Sequence, residues 1–124
     1  MIVDTTILVD LFRGNPQAEN FLLKTNNLLI SRISLMELVY GAPSKKALNL
    51  IKKQIQFLQF QIVEIDDTIS QKAAKIFEDL FHMTGIGLID AFIAATALTS
   101  NDSLATHNLK HFQKIKELKL LKPY

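Results

Sequence analysis

Short apolar runs alternate along the chain with longer segments whose apolar residues recur three and four positions apart. Ile2-Val3-Asp4 reads as a short buried strand, and Thr5 or Thr6 offers an N-cap oxygen for the helix that follows. Gly14-Asn15-Pro16 stops that helix, and Pro16, with its fixed φ, starts another toward Leu23. Leu28-Leu29-Ile30-Ser31 is a second strand; Ser34 then caps a short helix that carries Glu37 and ends near Gly41. Pro43-Ser44 opens a longer helix in which Ala47, Leu48, Ile51, Ile55 and Leu58 recur at helical spacing. Ile62-Val63-Glu64-Ile65 is a third strand. Asp66 or Asp67 caps a helix with Ile69, Ala73, Ile76, Phe77 and Leu80 on one face, and Gly85 and Gly87 separate it from a helix over residues 88–99. A strand at 103–106, a short helix at 109–113 and a final strand at 118–121 complete the pattern.

Apolar strands alternating with helices predict an α/β fold, a three-layer α/β/α sandwich around a short, mostly parallel central sheet. No linker, internal repeat or low-complexity segment interrupts the 124 residues, so one domain over 1–124 is expected.

Composition narrows the chemistry. A hydrophobic share of 48% against 21% charged is that of a folded globular chain. With no cysteine, disulfides, iron–sulfur clusters, thiolate zinc sites and cysteine nucleophiles are excluded. Asp4 and Asp10 interrupt the apolar N-terminus, against a signal peptide, and no apolar run approaches the roughly 20 residues that span a bilayer. A soluble cytoplasmic protein with no membrane partner is expected. The net charge of +2 does not diagnose a nucleic-acid binder. Lys110, Lys114, Lys116, Lys119 and Lys122 against Glu117 nevertheless make the C-terminal stretch attractive to phosphates, unless it is an ordinary solvated surface.

Three acids stand in apolar surroundings: Asp4 after Ile2-Val3, Glu37 within Leu35-Met36-Glu37-Leu38-Val39, and Asp90 within Leu88-Ile89-Asp90-Ala91-Phe92. Burying an ionised carboxylate without a partner costs several kcal/mol or more. In open α/β sheets ligands bind beyond the carboxyl ends of the strands, where Asp4 ends the first strand and Thr106, His107 and Asn108 follow the fourth. Carboxylates gathered there repel one another unless a cation intervenes, and oxygen-only donors suit Mg²⁺ or Mn²⁺. The matching reaction is phosphodiester hydrolysis. Each acid also has an ordinary explanation. Asp90 could favour a helix dipole, Asp4 could cap its helix, and Glu37 could pair with Arg32 or a lysine.

Four stretches carry a resemblance: Ile2-Val3-Asp4-Thr5-Thr6-Ile7-Leu8-Val9-Asp10, Ile33-Ser34-Leu35-Met36-Glu37-Leu38-Val39-Tyr40-Gly41, Gly87-Leu88-Ile89-Asp90-Ala91-Phe92-Ile93-Ala94-Ala95-Thr96-Ala97 and Leu104-Ala105-Thr106-His107-Asn108-Leu109-Lys110-His111-Phe112. Together they resemble PIN-domain ribonucleases, and most of all the VapC-type toxins of toxin–antitoxin pairs. The resemblance implies a Mg²⁺- or Mn²⁺-dependent endoribonuclease that acts on RNA as a growth-inhibiting toxin. It implies that Asp4, Glu37 and Asp90 ligate the metal and that Thr106 and Asn108 complete the catalytic set. It also implies a homodimer, a groove that receives a cognate antitoxin, and operator DNA contacted through the antitoxin; the helices from Pro43 to Phe57 are expected to line that groove. Thr6 stands where the family usually has Asn, and His111 where an acid is common, which leaves one metal or two open.

Other features have plainer readings. His107 and His111 are four apart, a metal-ligand spacing, but without a third nitrogen or sulfur ligand they read as surface or supporting histidines. His82 reads as a helix-end residue, Asp10 as exposed, Glu78-Asp79 as a solvated face, and Phe57, Phe60, Phe77 and Phe81 mostly as core. Thr5 and Ser34 could act near a metal through their hydroxyls, although capping explains both. Two other functions remain: a phosphoacceptor receiver-like signalling domain, and a catalytically silent PIN-like module that binds RNA or protein.

Overall fold

Residues 2 and 3 point in opposite directions, and that alternation organises the molecule. In the computed structural model, which describes residues 1–124, Ile2 packs into an apolar cluster with Ile86, Ile93, Ala97, Leu104 and Phe112. Val3 packs into a different one, with Ile7, Leu8, Leu22, Ile30 and Ala105. Successive strand residues face opposite sides of a sheet, so two separate clusters mean that both faces are covered.

The sheet contains β1 (Ile2–Val3), β2 (Leu29–Ser31), β3 (Gln61–Val63), β4 (Leu104–Ala105) and β5 (Leu120–Leu121), in the order β3-β2-β1-β4-β5. Every pairing is parallel; Ile2 sits opposite Leu29 on one side and Leu104 on the other. On one face lie α1 (Thr5–Phe12), α2 (Pro16–Lys24) and α4 (Lys45–Phe57), whose Ile7, Leu8, Leu22, Ile51 and Ile55 fill the first cluster. On the other lie α5 (Asp67–Thr84), α6 (Leu88–Thr99) and the short α7 (Leu109–Phe112). α3 (Arg32–Gly41) joins both sides, with Leu38 in one cluster and Ile33 against the other. The architecture is the three-layer α/β/α arrangement expected, with a sheet that is parallel throughout. None of its helices is long and apolar enough to cross a membrane.

The order has a switch point. From β1 the chain builds outward to β2 and β3 on one side, then returns to place β4 and β5 on the other. The crevice beyond the carboxyl ends of β1 and β4 is where such sheets bind ligands.

Local signals hold with some corrections. Asn15 caps α2 through Gln17 N and Ala18 N, with Pro16 in its first turn. Ser44 caps α4 and Asp66 caps α5, which ends at Gly85 in a left-handed conformation (φ +71°) that costs glycine little. Asp4, not Thr5 or Thr6, holds the N-cap position of α1, and its side chain makes no capping bond. α3 begins one turn earlier than Ser34 suggested: Ser31 is the cap, accepting from Ile33 N at 3.3 Å, while Ser34 is fully buried with an unpaired hydroxyl. The strands are shorter than the apolar runs that announced them, and β3 starts one residue early, at Gln61, and ends at Val63. Phe57 is 73% exposed and Phe81 44%, so these two are not core residues.

Candidate active site

Asp4 follows β1 at the switch point and is 3% exposed. Its Oδ2 accepts a hydrogen bond of 2.7 Å from the hydroxyl of Thr106, which follows β4, and one of 3.3 Å from Thr6. Thr6, where the family usually has Asn, thus supplies a local hydroxyl bond to the first acid. The Thr106 oxygen in turn accepts from Asn108 N at 3.0 Å, which shapes the turn into α7. Burial pushes the Asp4 carboxyl above its ordinary value; the Thr106 bond opposes this, and the negative charge of Asp90 adds to it.

Glu37 lies in α3 and is half-buried, not buried. It does not pair with Arg32, which forms a two-pronged exposed bridge with Glu64 at 2.7 and 2.6 Å. That bridge holds the Glu64 carboxyl below its usual range and raises the guanidinium. Glu37 Oε1 instead accepts at 2.7 Å from the hydroxyl of Thr5, the residue next to Asp4. Thr5 therefore does more than occupy the first turn of α1: it ties one acid to the backbone that carries the other.

Asp90 stands in the first turn of α6, and its side chain is 23% exposed. Only Asp4 of the three acids meets the expectation of burial; α6 is apolar almost all round, but its first turn opens to the crevice. His111 Nδ1 lies 3.2 Å from Asp90 Oδ2 and 2.6 Å from the amide Nδ2 of Asn108. A chain of short contacts thus runs Asp4–Thr106–Asn108–His111–Asp90. His111 belongs to this set, so of the two readings, surface or supporting histidine, the supporting one holds. The available signal was its place three residues after Asn108, on the first turn of a helix. His107 diverges from it and packs edge-on against Tyr124, ring centres 4.4 Å apart. Tyr124 also donates its hydroxyl to Asp10 at 2.8 Å, and Asp10 is half-buried instead of exposed.

No lysine or arginine pairs with Asp4, Glu37 or Asp90; the ion pairs elsewhere are Met1 N–Asp102, Arg32–Glu64 and Lys75–Asp79. A buried acid with a raised pKa and a second acid near it fits a divalent cation, which would relieve both the desolvation and the repulsion. The side chains do not close into a cage: no three Asp, Glu or His groups converge on one point. Mg²⁺ characteristically accepts such an open arrangement, taking one or two carboxylates and completing its shell with water and substrate phosphate.

Beside the crevice, between α1, α3 and α4, runs a groove of about 480 Å³. Phe12, Leu38, Leu50 and Ile51 supply apolar lining, and Arg13 and Glu37 are among its polar residues. Glu37 is thus shared between the groove and the acid cluster.

Comparison with known proteins adds independent findings. A family model described as PIN domain matches residues 1–118. The chain is 34% identical to Ribonuclease VapC1 of Methanocaldococcus jannaschii, an alignment covering 97% of this chain and 84% of that protein. Among solved structures, a toxin–antitoxin complex from Klebsiella pneumoniae superposes with a TM-score of 0.80 at 29% identity, covering 99% of this chain and 97% of that one. VapBC2 from Rickettsia felis, bound to a DNA fragment from its promoter, gives 0.77 at 28% identity over 97% and 96%.

Proposed function

The chain belongs to the PIN-domain family, and on that premise we propose that residues 1–124 form one domain that is an Mg²⁺- or Mn²⁺-dependent endoribonuclease. It acts in the cytoplasm as the toxin of a toxin–antitoxin pair and cuts phosphodiester bonds in RNA. The observation that carries the reading is the meeting of Asp4 and Thr106 at the switch point, with Asp90 close enough to raise the Asp4 pKa. The family match displaces the receiver-like alternative, and a catalytic assay separates an active enzyme from a silent relic.

In this reading Asp4 and Asp90 would hold the cation directly and Glu37, tied to Thr5 beside them, would reach it through water; the cation when bound supplies positive charge against the developing charge at phosphorus and makes water a better nucleophile. The chain's own residues do the positioning. Thr106 fixes one Asp4 oxygen by hydrogen bonding and leaves Oδ1 uncommitted to it. Thr5 restrains Glu37 in the same way. Asn108, through its backbone N–H on Thr106, ties α7 to that arrangement. Lysines of the C-terminal stretch attract the RNA backbone without reading its sequence.

The apolar groove between α1, α3 and α4 suits a segment of the cognate antitoxin, and its continuity with Glu37 lets a bound segment reach the acids. Exposed Met36 and Tyr40 on α3 support a homodimer, and operator DNA would be contacted through the antitoxin. The deciding experiment is cleavage of RNA by the purified chain in Mg²⁺ or Mn²⁺. Full activity in excess chelator would sink the metal-dependent reading.

A further inference from the structure

One imidazole nitrogen serves two neighbours. His111 Nδ1 lies 3.2 Å from Asp90 Oδ2 and 2.6 Å from the terminal amide of Asn108. An ionised carboxylate only accepts, whereas neutral imidazole has one donor and one acceptor nitrogen, and an amide presents oxygen or nitrogen according to its rotation. If the amide nitrogen donated to Nδ1, the ring lone pair would be used there and would also face Asp90 Oδ2. Two acceptors would then lie 3.2 Å apart with no proton between them. Turning the amide by half a rotation removes the conflict without moving any group, since its oxygen and nitrogen have nearly the same shape. Nδ1 then carries the proton and shares it between Asp90 Oδ2 and Asn108 Oδ1.

We propose that His111 is a positioning residue for the RNA cleavage proposed above: its Nδ1–H orients Asp90 and holds the Asn108 carbonyl, leaving the Asn108 amide N–H₂ to donate to a substrate phosphate. Asn108 is thereby a phosphate-binding donor, not a metal ligand. The arrangement also accounts for a site of few acids. Where a further carboxylate would bring more negative charge beside Asp90, His111 brings a donor, so Asp90 is restrained by a hydrogen bond instead of by a second cation. The side chain of His111 is 34% exposed, so it is not sealed inside the core.

The first test needs no activity. In ¹⁵N-labelled protein without metal, long-range ¹H–¹⁵N correlation above about pH 8, clear of the ordinary imidazole pKa of about 6.5, reads the His111 tautomer directly. The Nδ1–H form is expected, and the Nε2–H form overturns the proposal. The second test compares two amides: His111→Asn places its amide where Nδ1 stands, and His111→Gln places it where Nε2 stands. RNA cleavage should stay within about threefold for His111→Asn and fall about 10- to 100-fold in kcat for His111→Gln, the usual cost of losing a group that orients a ligand. Equal losses in the two variants overturn it. If the wild-type chain cut no RNA at all, the nuclease reading would fail while the tautomer still decided the hydrogen-bond assignment.

Discussion

Thr106 donates its hydroxyl hydrogen to Asp4 at 2.7 Å, joining residues 102 positions apart across the two strands where the sheet changes direction. The bond is fully buried, and Thr106 is completely inaccessible. Thr106→Val keeps the shape and deletes the donor, leaving Asp4 with the longer Thr6 bond and Asn108 N without its acceptor. A loss of about 1–3 kcal/mol in unfolding free energy is expected, measured by urea denaturation, together with reduced RNA cleavage. Unchanged stability and activity would show that this bond does not matter to the site.

Asp4 weakens the fold at neutral pH. Its folded pKa is raised, so above the ordinary value of 3.8 the folded chain binds a proton that the unfolded chain releases. Stability from this group therefore falls as pH rises through that window, and the cost persists above it. In chelator, Asp4→Asn should therefore raise the melting temperature at pH 7. The gain should shrink as the pH falls toward the ordinary carboxylate range. Mg²⁺ or Mn²⁺ should raise the melting temperature of the wild type and not that of the variant.

Asp90→Asn removes a charge without changing shape and keeps an oxygen facing His111. RNA cleavage should fall at least about 100-fold, equivalent to roughly 2.7 kcal/mol in the barrier, with an unchanged circular dichroism spectrum. Expression of the variant should no longer inhibit growth. Undiminished toxicity in the variant would remove Asp90 from the catalytic set.

Leu50 is 55% exposed and lines the groove between α1, α3 and α4. Leu50→Arg places a charge among apolar residues at little risk to the core, since it lies outside both packed clusters. The variant should keep its RNA cleavage and lose at least about tenfold in affinity for the antitoxin, near 1.4 kcal/mol, by titration calorimetry. Wild-type neutralisation would place the antitoxin elsewhere.

Much of this was legible along the chain. Alternating apolar runs named the strands and helices in order, Asn15-Pro16, Ser44 and Asp66 announced helix starts, and four motifs pointed to the family. These signals are local, because capping and periodicity depend on residues within one or two turns of each other. Ser34 misled for a related reason: Ser31 is an equally good cap one turn earlier, and only the end of β2 chooses between them.

The sequence by itself determined which acids and hydroxyls exist, the order of the elements that carry them, and the family they mark. Tertiary structure decided how they are used. It buried Asp4 while leaving Glu37 and Asp90 half-open, gave Arg32 to Glu64 and Thr5 to Glu37, and set His111 against Asp90. Those choices depend on strand order and on the register of parallel pairs, which bring together groups 21 to 102 residues apart. No local propensity encodes such distances; they follow from packing two helical layers onto one sheet.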